Sequence, residues 1–264
     1  MIEQACIHSI RVWMKHHKLK LNDDKTEVVI IASPHQQRLN GMHSISKIKI
    51  GDTLVCPSQS ARNLGVTCDS FMNMEEHIGN ICKASYIQLR NIRSIRNIIS
   101  KDNLITVVHA FITSRLDYCN SLLYGLPDCQ LDKLQRIQNI AARIVSGAKK
   151  YDHITPVLKT LHWLPIKCRI RFKINLLTFR ALSGQAPPYL TELLQEKTST
   201  RSLRSSSQHL LCMPKPRLKT YGDRSFMACA PELWNTLPIS IRSTKTLNLF
   251  KSLLKTFLFN EAFA

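Results

Sequence analysis

The chain has 264 residues, 44% of them hydrophobic, and carries 37 Lys plus Arg against 18 Asp plus Glu, a net charge of +19. That length and apolar content suffice to bury a core in one large domain or two small ones, which excludes a disordered chain. Nine scattered cysteines without a Cys-x-x-Cys, and ten histidines without a His-x-x-x-His, argue against a zinc site or a disulfide framework.

No apolar run approaches the ~20 residues of a membrane span, and Glu3 lies in an N-terminal stretch with no signal-peptide pattern. The expectation is a soluble intracellular protein, cytoplasmic or nuclear, with reduced thiols and no membrane partner. The excess of positive charge calls for a polyanion; nucleic acid is the commonest one, and an anionic membrane surface is the other candidate.

Ile2, Cys6, Ile10, Trp13 and Met14 recur at helical spacing. Val28–Ile31 reads as a strand, ended by Ser33-Pro34. Lys47–Ile50 and Thr53–Cys56 flank Gly51-Asp52 and predict a hairpin, and Ala61–Cys68 predicts one more extended segment. Asn73 with Glu76 three residues on fits a capping box. From there to Ile99 an apolar stripe of Met74, Ile78, Ile81, Ser85, Leu89 and Ile92 predicts a long helix. A second helix is predicted over Asp102–Leu123, with Leu104, Val108, Phe111 and Tyr118 inward and Gly125 and Pro127 as its stop.

A third helix runs from Asp128 to Gly147, a short one starts at Thr155-Pro156, and a longer one spans Pro165 to Gly184. Thr198–Ser207 reads as an exposed linker. Leu210–Ile241 is punctuated by prolines and reads as irregular. Lys245–Phe259 is a final helix with Leu247, Phe250, Leu254 and Phe257 on one face. The expected fold class is therefore α+β and mostly helical.

From Ile81 to Arg180 there are 17 Lys/Arg against 5 Asp/Glu, and no acid lies between Asp152 and Glu192. Successive basic helices suit a phosphate track. Its candidate residues are Lys83, Arg90, Arg93, Arg96, Arg136, Arg143, Lys167 and Arg171. Asp23-Asp24 is the one adjacent aspartate pair of the kind that holds metal ions in nucleotidyl transfer. Its setting, Leu-Lys-Leu-Asn before and Lys-Thr-Glu after, reads instead as a solvated turn. No Gly-x-Ser-x-Gly and no phosphate-cradling glycine loop is present.

Several stretches resemble the reverse transcriptases of LINE-type (non-LTR) retrotransposons, jockey-like and vertebrate-repeat groups. Trp13-Met14 through Leu-Lys-Leu-Asn-Asp-Asp-Lys-Thr-Glu at 19–27 is similar to the segment just after the catalytic Asp-Asp hairpin. Ala-Arg-Asn-Leu-Gly-Val-Thr-Cys-Asp at 61–69 resembles the primer grip, and Glu76-His77-Ile78 the start of the thumb. The stretches Asp117–Gly125, Leu131–Asn139, Ala230–Pro238 and Phe250–Lys255 resemble the region beyond it.

The resemblance implies a small palm-remnant sheet at 1–70 and a helical, basic, thumb-like body at 71–196. A linker and C-terminal irregular and helical region follow at 197–264. It places Lys25 near the incoming triphosphate, and Arg62, Asn63, Leu64 and Gly65 in the primer grip. The family is an RNA-directed DNA polymerase that uses Mg2+. The fingers, most of the palm and the catalytic hairpin have no counterpart here.

The expectation is thus a retrotransposon polymerase fragment that binds RNA or DNA template–primer and is inactive alone. It would have no catalytic residue, no metal ligand and no cofactor of its own, and its other partner would be the remaining palm and fingers. The rival readings are an inert pseudogene product and a helical protein-interaction module. An exposed Phe250, Leu254, Phe257 stripe would favour the module.

Overall fold

The computed structural model describes residues 2–22, 25–33, 47–50, 53–197 and 208–264. The fold is α+β and mostly helical, with two separate antiparallel two-stranded sheets among the described residues. The chain divides into two compact units, Met1–Gly79 and Asn80–Ala264.

In the first unit, α1 (Ile2–His16) packs against β1 (Ile48–Ile50), which pairs with β2 (Thr53–Val55). The hairpin is the one the alternation predicts; its Gly51-Asp52 turn lies outside the described residues, as do Pro34, Asp23 and Asp24. Val28–Ile31 does not become a strand. Val29 forms a single parallel bridge to Ser58, and the Val28 carbonyl accepts from the Ser58 N–H at 2.7 Å. A β-branched run needs a continuous ladder on a neighbour, and among the described residues this one forms a single bridge.

The segment at 61–68 is a hairpin rather than one extended piece: β3 (Ser60–Asn63) pairs with β4 (Val66–Asp69). Its turn is Leu64-Gly65, with φ of 47° and 86°. Two consecutive positive φ values match the right-handed twist of the strands, the two-residue turn that glycine permits. Behind it Asp69 accepts from the Phe71 and Asn73 N–H groups through Oδ1, and from the Met74 N–H at 2.7 Å through Oδ2. Asn73 caps as expected, but its Oδ1 takes the Glu75 N–H at 2.9 Å rather than that of Glu76. Helix α2 (Glu75–Ile95) starts there.

The second unit holds most of α2 and everything after it. Met74, Ile78, Ser85, Leu89 and Ile92 of the α2 stripe are buried. The predicted helix at 102–123 is broken. It comprises α3 (Lys101–Val108), a π turn at His109–Thr113, α4 (Ser114–Asp117), a left-handed Cys119 and a 3-10 turn at Asn120–Leu123. The inward residues are Leu104, Val108, Ile112 and Leu116, while Phe111 and Tyr118 are 47% and 51% exposed. A spacing of four advances an α-helix by about 400°, so the stripe drifts off the core unless one turn is widened. The π turn supplies that width and takes Phe111 out of register, while Tyr118 stands in extended backbone just past α4.

Helix α5 (Asp128–Ser146) ends at left-handed Gly147, and α6 (Ile154–Thr160) leads to α7 (Ile166–Leu182). The buried residues of α7, among them Ile166, Cys168, Ile170, Ile174 and Phe179, lie on more than one side of the helix. It is the central helix, packed by later elements. After α8 (Pro188–Thr191), the predicted linker at 198–207 lies outside the described residues.

The stretch read as irregular contains α9 (Lys219–Gly222), α10 (Phe226–Asn235) and α11 (Ile239–Arg242). Pro231 sits inside α10 and is buried. It forfeits one backbone bond, while burial of Cys229, Ala230, Leu233 and Trp234 holds the helix against α7. Asn235 clamps residue Leu211 by both its N–H and its carbonyl, each at 2.9 Å. The last helix, α12 (Leu247–Phe263), is capped by Thr246 and lays Phe250 on Phe179 and Trp234, with ring centroids 4.3 and 5.7 Å apart.

Candidate nucleic-acid interface

On α2, residues seven apart return to one side of the helix. Lys83 and Arg90 are so spaced, and both are exposed; Arg93 is exposed one turn on. None of the three has an ion-pair partner among the described residues. Tyr86 and Ile87, 48% and 55% exposed, lie between them. An exposed ring among phosphate-reaching cations is the composition of a surface that both neutralises a backbone and stacks on a base. Tyr86 was not among the expected residues. Its sign in the sequence is its position, one helical turn from both Lys83 and Arg90 and off the apolar stripe.

Arg96 departs from that face. It is half-buried just beyond α2, and its guanidinium lies against Gly147 at the end of α5. Arg136 on α5 is exposed. Arg143 is half-buried and donates to the carbonyls of Lys149 and Asp152, both at 3.2 Å, so it holds the loop after α5. Lys167 pairs with Asp128 at 2.8 Å, with both side chains largely exposed. Arg171 is bidentate with Glu261 on α12, Nη2 to Oε2 at 3.0 Å. The structure therefore brings Lys83, Arg90 and Arg93 together and commits Arg143, Lys167 and Arg171 to internal partners.

In the first unit, Arg62 and Asn63 are exposed at the end of β3, and Leu64 stands 84% exposed at the turn beside Gly65. Lys25 is exposed; its own N–H donates to the Asn22 carbonyl and side chain. Among the described residues no group of three or more His, Cys, Asp or Glu converges as a metal site requires. All nine cysteines are free thiols. Burial pushes the Cys229 thiol up to about 12 and raises that of Cys168, which makes both poor nucleophiles. Among the described residues no helix is long and apolar enough to cross a membrane.

No family model matches the chain, and neither a curated protein nor a solved structure matches it.

Proposed function

We propose that the chain binds nucleic acid along the outward face of α2, as a template–primer-holding part of a retrotransposon's RNA-directed DNA polymerase that contributes binding rather than chemistry. The observation that carries the binding is the face itself: Lys83, Arg90 and Arg93 exposed and without ion-pair partners among the described residues, around an exposed Tyr86. The polymerase origin rests on the resemblance of the segments at 19–27, 61–69, 117–125 and 230–238. The interaction-module reading is weakened, because Phe250 and Leu254 lie in the core and Phe257 is half-buried.

Binding of a labelled RNA–DNA hybrid, followed by fluorescence anisotropy over a salt series, tests the reading. Each lost phosphate contact should flatten the slope of log K against log salt by about 0.9. A Lys83→Ala, Arg90→Ala, Arg93→Ala variant should therefore bind more weakly, with a slope shallower by about 2–3. Binding equal to the parent at every salt concentration would remove α2 as the track.

A further inference from the structure

The second unit contains a cavity of about 360 Å³, walled by the π turn, the 3-10 turn, the residues before α7 and the first turns of α7. That is the lower end of the roughly 300–1,000 Å³ of small-molecule sites, room for one compact ligand. Among the described residues three cations line it, Arg169, Lys173 and Lys255, against one carboxylate, Asp117. Arg169 already answers that carboxylate, with Nη1 2.8 Å from Asp117 Oδ2, and its Nε donates to the Leu164 carbonyl. Lys173 and Lys255 have no ion-pair partner among the described residues. The surplus in the cavity is positive, which suits an anion.

Aromatic surface lines the same space. Trp163 is buried, with the His109 ring 5.4 Å away, and His162 and Phe172 also face the cavity. Burial, and then the charge of Arg169, hold the His109 imidazole below its ordinary value, with Asp117 opposing. Asn120 is 2% exposed and lines the cavity as well. Its Nδ2 donates to Asp117 Oδ1 at 3.4 Å, which leaves its buried Oδ1 with no donor among the described residues. A buried acceptor without a donor carries the full cost of leaving water, and an N–H on a ligand recovers it. The walls are also strained: a π turn at His109–Thr113, Cys119 at φ 50° and His162 at φ 53°. Such departures gather at ligand sites.

We propose that this cavity is a nucleotide site, with the phosphate on Lys173 and Lys255, the base against Trp163 and His109, and a base N–H donating to Asn120 Oδ1. One chemistry, a phosphate joined to a planar base, has two sources: a free nucleoside monophosphate, or one nucleotide of a single strand. The site is distinct from the α2 face and does not depend on it.

Calorimetry on the full chain tests this with the four ribonucleoside monophosphates, inorganic phosphate, the nucleosides and a short single-stranded oligonucleotide. At least one monophosphate should bind about tenfold or more tighter than inorganic phosphate. Lys173→Ala with Lys255→Ala should weaken it by about tenfold or more, while the affinity for the RNA–DNA hybrid stays within about twofold of the parent. Both lysines reach solvent, so the fold should survive.

Hydrogen exchange on the unaltered chain gives a second reading, with protection on ligand addition confined to residues 109–120 and 161–173. If only the strand binds, and with the same lysine dependence, the strand is the source and the site stands. Three results overturn it: inorganic phosphate binding as tightly as the monophosphates, nucleotide affinity unchanged in the double variant, or no saturable binding by either source. None of these bears on the α2 face, whose test uses other residues and another ligand.

Discussion

Single residues carry constraints that composition does not register. Gly125 ends the 3-10 turn at φ 70°, and a Cβ there would lie 2.6 Å from the Arg224 Cγ. Arg224 is not free to swing away, because its Nε donates to the Tyr124 carbonyl at 3.1 Å. Gly184 has a similar φ of 67° and open space around it. Gly184→Ala should therefore cost about 1–2 kcal/mol, the left-handed backbone alone. Gly125→Ala should cost about 1–3 kcal/mol more, because the clash adds to it. Urea unfolding of both variants measures the difference, and equal losses would show that Arg224 does not constrain the turn. That these two glycines end elements was legible from their places in the sequence. That only one is crowded was not, since Arg224 is 99 positions further along the chain.

At the scale of elements, the junction of the β3–β4 hairpin with α2 has its own pH dependence. His77 in the first turn of α2 is 5% exposed, and its Nδ1 accepts from the Thr67 N–H at 3.4 Å. Burial holds this imidazole below its ordinary value. Above about pH 6.5 it is neutral in both the folded and the unfolded chain, and stability does not depend on it. As pH falls through about 6.5 the unfolded chain takes up a proton that the folded one resists, so stability drops until the folded value is also passed. His109 shifts in the same direction and adds to the drop. Denaturation midpoints at neutral pH and in mild acid should thus differ less for His77→Asn than for the parent. An identical drop in both would mean that His77 titrates normally.

Most helices of the second unit were readable from apolar spacing, and α2, α5 and α7 fall where the pattern puts them. The exceptions have physical causes. A four-residue spacing needed a π turn that no residue type announces. A proline-rich stretch proved helical, because burial against α7 outweighed the bond lost at Pro231. The Leu64-Gly65 turn was a short-range signal lying inside a run read as extended.

At the scale of the whole molecule the two units differ in what holds them. Among its described residues the first has two sheets of two strands each, a size that is marginal by itself in water. The second is organised around α7, with Phe179, Trp234, Phe250, Leu254 and Leu258 in its core. Native-state hydrogen exchange should show the amides of β1 and β2 opening well before those of α5 and α7. Equal protection in both would mean that the hairpins belong to a larger cooperative body.

The sequence by itself determined the mostly helical α+β class, the basic character of the middle of the chain and the buried stripe of α2. These follow from local periodicity and from charge, which need no partner to be read. Only the tertiary structure decided which cations remain available. Between Asp152 and Glu192 the sequence has no acid, yet Lys167, Arg169 and Arg171 are answered by Asp128, Asp117 and Glu261 from other elements. Tertiary packing also set Lys173 and Lys255, 82 positions apart, around one cavity with Asn120. An ion pair or a cavity depends on distances through space, and those arise only when helices remote in the chain pack together.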